Sequence, residues 1–239
     1  SGTFTNGERR IQKVQAVVAP VAGTKPDGQI MVEFMEYMGF PQPEFTPENM
    51  LREISGIVPF FAGVTWDNLG ENGKQWPVAP DGTDTEILHT ETFKRGLGKF
   101  HFFNWKETEE ILRNGKEYPY IITTNRELEH YNAGTMTRRT GNVKILTEDV
   151  LMIHPDDAQR HFIAEGDMVC VESPRGKVDI KARITDEVKP GVLSTTFHFP
   201  EVLLNLITSS ERDSEAMCPE YKVVAVNIRK SKGKFKEKV

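Results

Sequence analysis

The stretch from Met168 to Ile184 limits the fold of this chain more than any other. Val169 and Val171 alternate on the way into Ser173-Pro174-Arg175-Gly176-Lys177, and Val178, Ile180, Ala182 and Ile184 alternate on the way out. A period of two on both sides of a Pro and Gly turn predicts an antiparallel hairpin with one buried face. Such a face needs further strands to cover it. Tyr120-Ile121-Ile122-Thr123-Thr124, Val150 to Ile153, Val192 to Phe199 and Tyr221 to Ile228 all read as strands, separated by turns at Glu165-Gly166-Asp167 and Pro190-Gly191. One short helix begins at Pro155, with Asp156 and Asp157 complementing its dipole and with His154 and His161 expected to cap it or face solvent. Short strands around one helix predict a compact β-barrel.

The first half reads differently. Ile11 to Ala22 is apolar and closes at Gly23, Lys25-Pro26 and Asp27-Gly28. Met31, Phe34, Met35 and Met38 then recur at helical spacing, with Asp27 able to cap the start, Gly39 and Pro41 as a stop, and the methionines expected as core filling. Thr46-Pro47 predicts a second helix with Thr46 as N-cap, burying Met50, Leu51 and Ile54 before Gly56. From Phe60 to Thr92 periodicity vanishes, and so long an irregular segment wraps something or lines a site. Phe100 to Trp105 reads as a strand, with His101 a packed core histidine. A boundary near Arg113-Asn114-Gly115-Lys116-Glu117 separates an α/β part, residues 1–115, from a β-rich part, residues 116–229. Residues 230–239, with Lys230, Lys232, Lys234, Lys236 and Lys238 following Arg229, form a basic, solvated tail.

Composition removes several classes of function. With 239 residues, 38% hydrophobic and 27% charged, the chain has a soluble globular composition and can bury a real core. A net charge of -5 argues against a nucleic-acid partner. No apolar run reaches membrane-span length and no leader is visible; because Ser1 is not Met, a fragment or separately encoded half is expected, with any leader upstream. Cys170 and Cys218 form no Cys-x-x-Cys pair, which excludes an iron–sulfur cluster held wholly by this chain. Unpaired cysteines fit a reducing, cytoplasmic compartment. There is no Gly-x-Ser-x-Gly, Walker loop or His-Glu-x-x-His, and the six histidines lack metal-ligand spacing, so hydrolysis and zinc chemistry are poor fits.

What remains is the segment after Thr124. Thr124, Asn125, Arg126, His130, Asn132, Thr135, Thr137, Arg138 and Arg139 all donate hydrogen bonds, and Gly134 allows close backbone approach. A donor-rich loop at the end of a buried strand suits an extended anionic ligand such as a dinucleotide pyrophosphate. A solvated turn carrying arginines is the competing reading.

Thr124-Asn-Arg-Glu-Leu-Glu-His-Tyr-Asn-Ala-Gly-Thr-Met-Thr-Arg-Arg139 resembles the segment that opens the C-terminal cofactor domain of molybdopterin oxidoreductases. Ser1-Gly-Thr-Phe-Thr-Asn-Gly-Glu-Arg-Arg-Ile-Gln12 and Cys218-Pro-Glu-Tyr-Lys-Val-Val-Ala-Val226 resemble the same family in the same order, and are most similar to its formate dehydrogenases. The resemblance implies a double-psi β-barrel for residues 116–229, preceded in 1–115 by the C-terminal part of the family's α/β core. It also implies a molybdenum or tungsten ion held by two molybdopterin guanine dinucleotides, gripped by the protein through their anionic arms. Carried across by position, Thr124, Asn125, Arg126, Glu127, His130, Tyr131 and Asn132 match the loop that contacts pterin and pyrophosphate, and Thr135 to Arg139 continue its wall. Phe197, His198, Asn205, Tyr221 and Lys222 match a second cofactor cluster, with Asn205 expected to be a buried amide in need of a partner. Arg9 and Arg10 are expected to pair with acids rather than steer anions.

The resemblance further implies a formate dehydrogenase catalytic subunit interconverting formate and CO2. Its metal ligand and a 4Fe-4S cluster are expected upstream, so this chain alone is expected to be inactive. Iron–sulfur or flavin and hydrogenase electron-transfer subunits are the implied partners. A nitrate reductase or other oxo-transfer enzyme would share the fold, as would a non-catalytic subunit of a redox complex.

Overall fold

A strand leaves unpaired backbone groups on any edge without a partner, and in the second half of this chain six strands satisfy each other in a ring. The computed structural model describes residues 1–231; Lys232, Lys234, Lys236 and Lys238 of the basic tail lie outside the described residues. The chain divides into two compact units, residues 1–101 and 102–239.

In the first unit β1 (Gly2–Thr5) pairs antiparallel with β2 (Arg10–Val14), which also pairs with the short β3 (Lys74–Gln75). Two helices lie between these strands in sequence, α1 (Asp27–Tyr37) and α2 (Pro47–Ile57). Ile11, Leu51, Val64, Leu69 and Val78 form a small core. Thr46 caps α2, its hydroxyl accepting from the Asn49 N–H at 3.2 Å, and Thr46→Ala is expected to lower the stability of this unit by about 1 kcal/mol in a urea melt. Leu51 is buried as expected, whereas Ile54 is 40% exposed. Arg9 donates to the carbonyls of Trp76, Thr85 and Glu86, and Arg10 reaches the Asn72 carbonyl at 3.3 Å. Arg9 thus binds backbone of the irregular segment rather than acids, whereas Arg10 also pairs with Glu8 at 3.8 Å, as expected.

The helix expected to fill its core with methionines does not. α1 buries no residue; Met31 and Phe34 are 63% and 60% exposed. Periodicity reports an apolar face, and no described element covers this one. The start of α1 also lacks a side-chain cap from Asp27, because Pro26 occupies the capping position. Phe100 to Trp105 forms no strand, and Phe102, Phe103, Trp105 and His101 are all exposed. An aromatic run without a partner strand has nothing to hold it extended.

The second unit opens with α3 (Glu109–Asn114), followed by β4 (Tyr120–Thr124), β5 (Val150–Ile153), α4 (Pro155–Arg160), β6 (Met168–Ser173), β7 (Gly176–Ile184), β8 (Val192–Thr195) and β9 (Val224–Lys230). The unit starts at Phe102, ahead of the charged 113–117 stretch, since α3 sinks Glu110 into the barrel, where its carboxylate accepts from the Ala225 N–H at 3.1 Å. The strands close in the order β4-β8-β5-β7-β6-β9. β4 runs parallel to β8 and β5 parallel to β7, while β6 pairs antiparallel with β7 and β9, and β9 with β4. Two parallel pairs within a closed six-stranded ring give the expected barrel. Leu151, Ile153, Val169, Val171, Ile180, Leu193 and Val226 fill its interior. β9 runs to Lys230, which pairs with Asp167 at 2.6 Å, so Arg229 and Lys230 belong to the barrel rather than to a free tail.

Candidate functional site

β4 ends at Thr124 beside Thr195 of β8, and the Asn125 N–H extends the ladder by donating to the Thr195 carbonyl at 2.9 Å. The 125–146 loop that follows closes on itself, Asn142 donating to the Glu129 carbonyl at 2.7 Å. Its shape is set by left-handed residues at Asn132 (φ 49°) and Gly134 (φ 68°). A Cβ on Gly134 would sit 2.5 Å from the His198 carbonyl oxygen, so the close approach that glycine permits is to the protein's own backbone.

The two histidines of the site are both buried and both occupied. His130 shares Nδ1 with the Thr137 hydroxyl at 2.9 Å and directs Nε2 to the Leu146 carbonyl at 2.9 Å. The carbonyl can only accept, so Nε2 carries the proton and Thr137 donates to Nδ1. His198 has the opposite arrangement: Nδ1–H donates to the Asn132 carbonyl at 2.5 Å, and Nε2 accepts from the Glu127 N–H at 3.0 Å. Neither ring has a nitrogen left for a ligand.

The free polar atoms lie elsewhere. Thr124 Oγ1 and Asn125 Oδ1 are buried with no partner among the described residues, and an unpaired buried polar atom costs about 1–3 kcal/mol. Lys222, which leads into β9, donates from Nζ to the Thr124 carbonyl. Loss of hydration and then the nearby Arg126 guanidinium hold the Lys222 ammonium below its ordinary value of 10.5. Arg126 stacks over Phe197 at 5.1 Å and reaches Asn132 Oδ1 at 3.4 Å. Two cations and two orphaned oxygens therefore converge where β4 ends. A groove of about 150 Å³ opens beside Asn125, bordered by Glu127, Arg183, Thr195 and Thr196.

Of the residues expected at the site, Thr124, Asn125, Arg126, Glu127, His130, Asn132, Phe197, His198 and Lys222 are linked by these contacts. Tyr131 and Thr135 lie on the same loop, exposed to solvent. Tyr221 precedes Lys222 and is 40% exposed. Asn205 differs from expectation: a single turn over Leu204–Leu206 buries Leu204 while Asn205 faces solvent. Its apolar neighbours suggested a strand-like burial that the turn removes.

Asp149 was not legible as a site residue. It is buried directly before β5, and its carboxylate accepts from the Thr196 hydroxyl, the His198 N–H at 3.1 Å and the Phe199 N–H at 2.9 Å. The only local signal is an acid abutting an apolar strand.

The donor set fits an anionic dinucleotide with a heteroatom-rich ring: oxygens able to accept from ring N–H groups stand next to two cations suited to phosphate. Comparison with known proteins agrees. Residues 120–225 match the family described as Molydopterin dinucleotide binding domain. Over 235 residues the chain is 38% identical to F420-dependent formate dehydrogenase 2 subunit alpha of Methanococcus maripaludis, covering 96% of this chain and 34% of that protein. It is also 38% identical to F420-dependent formate dehydrogenase subunit alpha of Methanocaldococcus jannaschii, covering 96% of this chain and 35% of that one. It thus spans about a third of the length of these curated relatives. Among solved structures, acetylene hydratase from Pelobacter acetylenicus shares the fold, with a TM-score of 0.62 at 16% identity over 96% of this chain and 36% of that chain. Residues 120–225 are therefore a molybdopterin dinucleotide-binding domain, within a chain that is similar along 96% of its length to formate dehydrogenase alpha subunits.

Proposed function

We propose that this chain is the C-terminal, cofactor-binding portion of a formate dehydrogenase catalytic subunit. The observation that carries the reading is 38% identity, along 96% of the chain, to alpha subunits named formate dehydrogenase. In this reading residues 116–229 hold a molybdenum or tungsten bis(molybdopterin guanine dinucleotide), and residues 1–115 complete the α/β core of the subunit. The bound cofactor supplies the redox chemistry, by which formate yields CO2, two electrons and a proton.

This chain's part is binding and orientation. Lys222 and Arg126 neutralise phosphate charge, while Thr124 Oγ1 and Asn125 Oδ1 satisfy polar edges of the cofactor and gain the partners they lack. Glu127, Tyr131, Asn132, Thr135, Phe197, Asn205 and Tyr221 complete the wall. The metal ligand and a 4Fe-4S cluster belong to the upstream part of the same subunit, with iron–sulfur or flavin subunits as electron-transfer partners in the cytoplasm. Among the described residues no helix is long and apolar enough to cross a membrane.

The purified assembly is expected to contain molybdenum or tungsten, to release a fluorescent oxidised pterin, and to reduce a viologen dye with formate. Metal and pterin with nitrate-dependent but no formate-dependent turnover would transfer the reading to an oxo-transfer enzyme. Absence of both pterin and metal would make the chain part of a non-catalytic subunit.

A further inference from the structure

We propose that His198, backed by Asp149, is a positioning residue that sets the cofactor loop and touches no ligand atom. The inference rests on the cofactor reading above for its consequence, but not for its geometry. The His198 ring is completely buried. It joins two points of one loop, accepting from the Glu127 N–H at 3.0 Å and donating to the Asn132 carbonyl at 2.5 Å. A ring bonded at both nitrogens to backbone acts as a strut, since neither bond can be exchanged for a ligand without releasing one end of the loop.

The strut is itself fixed. Asp149 Oδ1 accepts from the His198 N–H at 3.1 Å and Oδ2 from the Phe199 N–H at 2.9 Å, and the Thr196 hydroxyl is bonded to the same carboxylate. Gly134 presses on the His198 carbonyl from the other side, where even a methyl group would not fit. On a second flank lies His130, with ring centroids 5.7 Å apart and its own nitrogens engaged by Thr137 and Leu146.

The consequence falls on Asn125, which carries an orphaned Oδ1 two residues before Glu127: with its own N–H tied to Thr195 and the Glu127 N–H tied to His198, the backbone on both sides of that oxygen is held. His198 therefore sets affinity for the dinucleotide through the loop rather than by contact. This separates the side chains of the site into an inner pair of braces and an outer set, Thr124, Asn125, Arg126 and Lys222, that meets the ligand.

The test uses the complete subunit, prepared with and without molybdopterin, and reads amide hydrogen exchange at Glu127 together with pterin released per subunit. His198→Phe keeps a ring but removes both bonds. His198→Gln can place an amide oxygen near the former Nε2. In the cofactor-free protein His198→Phe is expected to speed Glu127 exchange roughly ten-fold, and in the loaded protein to cut retained pterin by a similar factor. His198→Gln is expected to restore much of both, and Asp149→Asn to speed exchange at Phe199 and Glu127. If His198→Phe does not fold, Asp149→Asn read at the same amides decides. Lost pterin with unchanged Glu127 exchange in the cofactor-free protein would make His198 a ligand contact and overturn the proposal. Faster exchange with full pterin retention would overturn it as well. The exchange measurement involves no substrate, so its outcome is independent of whether formate is the one turned over.

Discussion

Glu110→Ala is expected to destabilise the barrel by about 3 kcal/mol, read as a shift in the urea midpoint of the second unit's transition. The Glu110 carboxylate is 2% exposed and gathers donors from four places: Arg175 at 2.7 and 3.0 Å, Ser209 at 3.0 Å, the Ala225 N–H at 3.1 Å and Asn114 at 3.2 Å. Its removal leaves the Arg175 guanidinium with only the Ile207 carbonyl among the described residues, and takes from the buried Ala225 N–H its carboxylate acceptor. Breaking a buried ion pair costs about 3–5 kcal/mol, and the lower end applies since Arg175 is 26% exposed. Burial alone would raise this carboxyl, but Arg175, the Ala225 N–H and Ser209 together outweigh burial and hold it below the ordinary 4.5. A value depressed in the folded state gives stability that is complete above the ordinary carboxylate range and is lost as pH falls through the folded value. The acid limb of the stability curve should therefore be shallower in Glu110→Gln than in the parent protein.

The second large effect is on the cofactor. Replacing Asn125 and Lys222 together by Ala in the complete subunit is expected to lower molybdopterin retention by about a hundred-fold or more. One charge-assisted bond and one neutral bond to a ligand are together worth about 2–4 kcal/mol. The folded barrel should not pay for it, because Asn125 Oδ1 has no partner to lose and Lys222 gives up only the Thr124 carbonyl. Pterin fluorescence after oxidative release measures the first part, and an unchanged urea midpoint the second. Full retention in the double variant would remove both residues from the ligand-facing set.

How much of this was legible in the sequence depended on the range of the interactions. The β6 and β7 hairpin follows from alternation alone, while its register, Met168 opposite Lys181 to Ser173 opposite Gly176, carries both strands further into the expected 173–177 turn. Thr46 and the Pro155 helix follow from local capping chemistry. His154 caps the start of that helix with its side chain and His161 caps its end through its backbone N–H, while the His161 ring meets the Tyr120 hydroxyl at 2.8 Å. Glu110 was invisible because a helix start rich in acids looks solvated, and its partners other than Asn114 lie 65 to 115 residues away. The histidines of the site were visible as residue types but not as struts: what fills the His198 nitrogens comes from residues 71 and 66 positions earlier. Periodicity likewise located the apolar face of α1 without saying what, if anything, would lie on it.

The order of strands round the ring has a consequence for biosynthesis. β9 sits between β4, the earliest strand of the barrel, and β6, yet it is the last to be translated. Until Lys230 clears the ribosome, the nascent chain holds two open edges that nothing else in the ring can cover. A transcript stopped anywhere between Val192 and Val224 would thus yield not a weaker barrel but an unsealed one, whose bare edges invite pairing with neighbouring copies.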